Sequence, residues 1–143
     1  MFIGEYSHSI DQKKRLSIPA RFRKELGKNA VITIGFDKCL FILSFKEWSR
    51  LAKKLSTMPL ANPAARGFAR STLAGAMEVS IDGLGRILLP DYLKAFAGLN
   101  KKVTVAGVYN RVEVWDEQLW QEYKTRIQKD SDSMAEQLQQ LGI

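Results

Sequence analysis

One cysteine and one histidine are all the chain has among its 143 residues, and each scarcity excludes something. Cys39 alone leaves no internal disulfide. His8 and Cys39 lie 31 positions apart, outside any zinc or nucleophile spacing, so no catalytic residue, no metal and no cofactor is expected. Cys39 is expected as a packed small hydrophobe. His8 falls on the buried phase of its strand and is expected as a core histidine with one satisfied nitrogen. No apolar run approaches the roughly 20 residues of a membrane span. Met1-Phe2-Ile3-Gly4-Glu5 lacks the basic region and apolar block of a secretory leader, so the cytosol is the expected compartment and no membrane partner is expected. Asp82-Gly83-Leu84-Gly85-Arg86 lacks the third glycine and the Lys-Ser/Thr of a nucleotide loop, and no small-molecule substrate is expected.

Negative charge is scarce in one half only. Residues 1–72 hold 14 Lys and Arg against 5 Asp and Glu, a net of +9, whereas residues 73–143 hold 8 against 10, a net of −2. A basic first half points to a polyanion-facing side, and a solvated basic face without a partner is the bland alternative. At this length the chain makes one compact domain or two small intertwined ones, since roughly 150 residues bury about 70% of their surface.

What is present is a duplication. Ile10-Asp11-Gln12-Lys13-Lys14-Arg15-Leu16-Ser17-Ile18-Pro19 returns 71 positions later as Ile81-Asp82-Gly83-Leu84-Gly85-Arg86-Ile87-Leu88-Leu89-Pro90. Both run apolar, Asp, three turn residues, Arg, then an apolar stretch closed by Pro. Ahead of each Asp, Tyr6, His8 and Ile10 alternate as a half-buried strand, and Met77, Val79 and Ile81 take the same phase. Gly83 and Gly85 supply positive φ in the second turn, and Asp82 can accept its backbone N–H groups. The first turn has no glycine and is expected to be longer or differently shaped. Pro19 and Pro90 suit the first position of a short helix, and Gly27 and Gly98 its end. The twin Asp-to-Arg pairs also read as plain surface ion pairs, worth about 0 to 1 kcal/mol each.

Elsewhere the periodicity predicts helices. Ser44-Phe45-Lys46-Glu47 is a capping box ahead of Trp48, Leu51, Ala52 and Leu55. Asn62 and Pro63 predict a second helix start that buries Ala65, Phe68, Ala69 and Leu73. Asp116 caps a third that buries Trp120, Tyr123 and Ile127. The tail from Ser131 puts Met134, Leu138 and Leu141 on one stripe, either docked or frayed.

From Met1-Phe2-Ile3-Gly4-Glu5-Tyr6 through the twin Asp-x-x-x-Arg motifs to Val112-Glu113-Val114-Trp115-Asp116, the sequence closely resembles the MraZ family. The resemblance implies a mainly β fold with flanking helices: a double-split, swapped-hairpin β-barrel of the AbrB, MazE and MraZ kind, built from two internal SpoVT-AbrB repeats. The chain is divided accordingly into repeats at 5–47 and 76–119, a helical connector at 48–75 and a C-terminal helical tail at 120–143. The resemblance further implies a DNA-binding transcriptional regulator in the cytoplasm, associated with the nucleoid. Its partners would be double-stranded DNA and further copies of itself in a ring. It would bind short direct repeats upstream of the division and cell-wall gene cluster, its own operon. Arg15 would be the DNA-contact arginine and Arg86 its counterpart. Lys14 departs from the glycine usual at that point of the first motif. Around Arg15, the cations Lys13, Lys14, Arg21, Arg23 and Lys24 are expected to dock on phosphates, with Asp11, Asp82, Gly83 and Gly85 shaping the turns. Because the second turn carries no cation and Asp91 follows it, Arg86 is expected to be mainly structural. An antitoxin-like protein-binding scaffold is the alternative reading.

Overall fold

The computed structural model describes residues 1–143. The first half runs β1 (Phe2–Ser9), β2 (Arg15–Ser17), α1 (Ala20–Leu26), β3 (Asn29–Ile34), β4 (Leu40–Ser44), α2 (Phe45–Ser56) and α3 (Pro63–Ala74). The second repeats that succession as β5 (Met77–Ser80), β6 (Arg86–Leu88), α4 (Asp91–Phe96), β7 (Lys102–Tyr109), β8 (Arg111–Asp116), α5 (Glu117–Lys129) and α6 (Ser131–Gln140). No helix is long and apolar enough to cross a membrane.

The halves are interlaced. β1 pairs antiparallel with β7 of the other half, from Phe2 opposite Tyr109 to Ser9 opposite Lys102. β5 returns the exchange by pairing with β3. The hairpins β3–β4 and β7–β8 join through β4 and β8, which gives the antiparallel order β1-β7-β8-β4-β3-β5. Exchanging the two repeats maps this order onto itself. The order is open, with β1 and β5 at its ends, and β2 and β6 form a separate two-stranded ribbon.

Strand pleating explains the core. Leu40, Ile42, Val112 and Val114 point to the main cluster, where Leu16 and Ile87 of the ribbon are also buried, while Phe41, Leu43 and Trp115 point to a second cluster. Trp48 and Leu51 of α2 and Trp120 and Tyr123 of α5 cover that second face. β4 and β8 are therefore buried on both sides, which is why β4 reads as a nearly unbroken apolar run, while in β8 the buried Glu113 is satisfied by Arg111 Nε at 2.9 Å and Trp115 Nε1 at 3.1 Å. Cys39 is packed in the second cluster, and burial pushes its thiol far above the usual range.

Several local expectations need correction. Ser44 caps α2 through Glu47 N at 3.3 Å, but Glu47 turns its carboxylate to Arg50 at 3.1 Å, so only half of the capping box forms. Pro19 and Pro90 are the caps themselves, one residue ahead of their helices. Within α3 the only fully buried residue is Thr72, whose carbonyl accepts from Thr33 Oγ1 at 2.7 Å; Ala65, Phe68, Ala69 and Leu73 are half-buried. His8 has the expected phase but is half-exposed with no hydrogen-bond partner, because β1 lies at the sheet edge. The tail is a helix that buries no residue, so it is neither docked nor unwound.

Candidate nucleic-acid interface

The twin motifs fold into the same turn, bond for bond. Asp11 Oδ1 accepts the backbone N–H groups of Lys13 and Arg15 at 2.9 Å each, and its Oδ2 takes Arg15 Nε at 2.9 Å. Asp82 does the same for Leu84, Arg86 and Arg86 Nε, at 2.9 Å throughout. In each turn the backbone N–H of the arginine's predecessor closes onto the Asp carbonyl. The expected difference in turn shape is therefore absent, because Lys14 takes the left-handed conformation at φ 60° where Gly85 has φ 77°. A residue with a side chain meets a penalty of roughly 1 kcal/mol there. The donated backbone N–H of the arginine, ahead of its guanidinium, holds each Asp below the usual carboxylate range.

Each turn leads into one strand of the ribbon. Arg15 lies opposite Leu88, Leu16 opposite Ile87 and Ser17 opposite Arg86. Since Leu16 and Ile87 point into the core, the pleat turns Arg15, Ser17, Arg86 and Leu88 outward together. The two arginine side chains are 30% and 25% accessible, and in both only Nε is engaged. Their remaining guanidinium N–H groups have no hydrogen-bond partner, and both side chains are partly open to solvent. The two arginines thus have the same local geometry, one in each repeat.

The flanking helices are crossed relative to the turns. Arg23 of α1 lies over the second turn, so close that a Cβ on Gly85 would stand 2.1 Å from its guanidinium carbon, and its Nε donates to Ile18 O at 2.8 Å. Conversely, Lys14 of the first turn reaches α4 and pairs with Asp91 at 2.8 Å. That bond draws Asp91 down from its usual range. The expected single patch is accordingly split: Lys13, Arg21 and Lys24 stay exposed, Arg23 is half-buried against the other repeat, and Lys14 is half neutralised. Lys28, beside Arg23 and Lys24, was missed by sequence reasoning. Its only signal was that it aligns with apolar Leu99 in the second copy.

A family model described as "MraZ protein, putative antitoxin-like" matches residues 1–71 and again residues 72–141. Among curated proteins, the chain is 46% identical over 143 residues to a "Transcriptional regulator MraZ" of Acetivibrio thermocellus, covering all of both chains. It is also 46% identical to the protein of that name in Alkaliphilus metalliredigens and 44% identical to that of Clostridium tetani, again over the full length of each.

Proposed function

The chain belongs to the MraZ family, and from that membership and the ribbon's outward face we propose that it is a sequence-specific DNA-binding transcriptional regulator. The observation that carries this reading is the pair of arginines on one solvent-facing ribbon surface, each aimed by an aspartate and each with free N–H groups. A two-stranded ribbon fits the major groove, and a guanidinium pairs bidentately with a guanine edge. Arg15 and Arg86 read bases in this scheme, while Lys13, Arg21, Arg23 and Lys24 hold phosphates, with Lys14 secondary. Asp11, Asp82, Gly83 and Gly85 set the turn geometry. The ribbon and the open sheet close as a double-split barrel around Leu16 and Ile87, with 5–47 and 76–119 as its two repeats. The protein works in the cytoplasm, on the nucleoid, as a homo-oligomeric ring. A head-to-tail ring presents every ribbon in the same sense, which suits direct repeats upstream of the division and cell-wall cluster, its own operon.

Gel shift with the fragment upstream of the chain's own gene, against a scrambled fragment, tests this. Arg15→Ala and Arg86→Ala are each expected to lower specific affinity about tenfold or more, as loss of a bidentate base contact does. Full binding by the doubly substituted chain would overturn the ribbon reading, and no preference for the upstream fragment would favour the protein-binding scaffold instead.

A further inference from the structure

The two ends of the ribbon differ although the turns beside them do not. At the Ser17–Arg86 end, the second turn and α1 leave an open cleft of about 310 Å³. Arg23, Lys24 and Lys28 bring three cations to it, Gly27 and Gly83 leave it sterically open, and Gly85 is covered by the Arg23 guanidinium. Its one carboxylate, Asp82, already accepts two backbone N–H groups and Arg86 Nε. Arg23 is pinned at the mouth by Ile18 O, and neither Lys24 nor Lys28 has an acidic partner. Three unneutralised cations around an open cleft form a seat for a compact oxyanion.

At the Arg15–Leu88 end the corresponding positions, 71 residues away, are filled differently. Lys94, Ala95 and Leu99 replace the three cations, and Gln12 and Lys14 replace Gly83 and Gly85. Leu99 is buried, and Lys14 ties itself to Asp91 at 2.8 Å, so a phosphate approaching there meets a carboxylate. One seat per chain follows. The two ribbon arginines are themselves related by a half-turn that carries Arg15 onto Arg86, whereas Lys13 and Arg21 stand where the second half has Leu84 and Tyr92.

We propose that the cleft between α1 and the second turn seats one DNA backbone phosphate and, with Lys13 and Arg21 on the first half, biases the direction in which the duplex crosses a ribbon whose two arginines are interchangeable by a half-turn. The inference rests on the DNA-binding reading. Without the anchor, both orientations place an arginine at the same base step. With it, only one puts a phosphate among Arg23, Lys24 and Lys28.

Directed cleavage tests this. Cys39 is buried, so a cysteine introduced by Gln12→Cys, on the exposed first turn, can alone be labelled with an iron chelate that cuts nearby DNA. The labelled chain is expected to cut one flank of each target box. Adding Lys24→Ala and Lys28→Leu, both at exposed positions, is expected to bring measurable cutting on the second flank and an affinity about tenfold lower at physiological salt. The slope of log affinity against log salt should fall by about 0.9 for the one phosphate released. Inorganic phosphate, at ionic strength matched with chloride, is expected to leave affinity unchanged; selective competition would assign the seat to a free anion and overturn the proposal. One-sided cutting with an unchanged slope in the substituted chain would also overturn it, while leaving the DNA reading intact. No binding by the unsubstituted chain would overturn both.

Discussion

Gly85 is where a single residue's geometry reaches across the two repeats. Its φ of 77° suits glycine, and Arg23 occupies the space a side chain would need. Gly85→Ala is therefore expected to destabilise the protein by about 1–2 kcal/mol, part from the left-handed backbone and part from displacing the guanidinium. Arg23→Ala removes only the second part, so the double variant in urea unfolding should lose less than the two single losses added together. Strict additivity would mean that Arg23 simply swings away. Protonation acts at the same scale. Burial, with help from the Arg23 charge, holds His8 below its ordinary value, so its contribution to stability is full above about pH 6.5 and is lost as pH falls through the lowered value. Asp11, Asp82 and Asp91 are also held low, and their contribution persists until pH falls below the ordinary carboxylate range of about 4. Melting temperature measured from pH 8 to pH 3 should fall in two stages. His8→Gln should remove the upper stage alone.

At the scale of elements, the repeat was legible because apolar alternation and the Asp-to-Arg spacing survive in both copies. The pairing was not. β1 has the same alternation whether it lies on its own repeat's hairpin or on the other, so nothing in Tyr6, His8 or Ile10 announces Val105 and Val103 as partners. The same ambiguity hid the crossing of α1 onto the second turn, and with it the true surroundings of Arg23 and Lys14. The turn was misjudged for a narrower reason: Lys14 adopts a backbone conformation that its residue type does not advertise. Helix caps at Ser44, Asn62 and Asp116 were legible because capping is local. The last helix buries no residue fully, and Leu138, Leu141 and Ile143 stay exposed. Ending the chain at Asp130 should therefore leave the melting temperature within about 2 °C, since an element that removes little apolar surface from water, here mainly that of half-buried Met134, adds little. A larger loss in calorimetry would show that another copy covers this helix in solution.

At the scale of the whole molecule, the +9 and −2 halves are not two ends of an object, because the strand exchange weaves them together. What matters is which cations remain unpaired near the ribbon. Lys13, Arg21 and Lys24 are exposed without acidic partners, whereas Lys14 shares its charge with Asp91. Counterion release counts only the charge actually delivered to phosphate, at about 0.9 in the log–log salt slope per phosphate neutralised. Removing Lys13, Arg21 or Lys24 singly by alanine should each lower that slope by about this amount at every DNA sequence, because phosphate contacts carry no sequence information. Lys14→Ala should change it much less, since it uncovers Asp91 as it removes a cation already half spent on that carboxylate. Affinity titrations from about 50 to 200 mM salt decide the point, a range over which several phosphate contacts cost orders of magnitude in binding. Equal slope changes for Lys14 and Lys13 would show that DNA pulls Lys14 away from Asp91, and an affinity flat across the range would remove phosphate docking from the mechanism altogether.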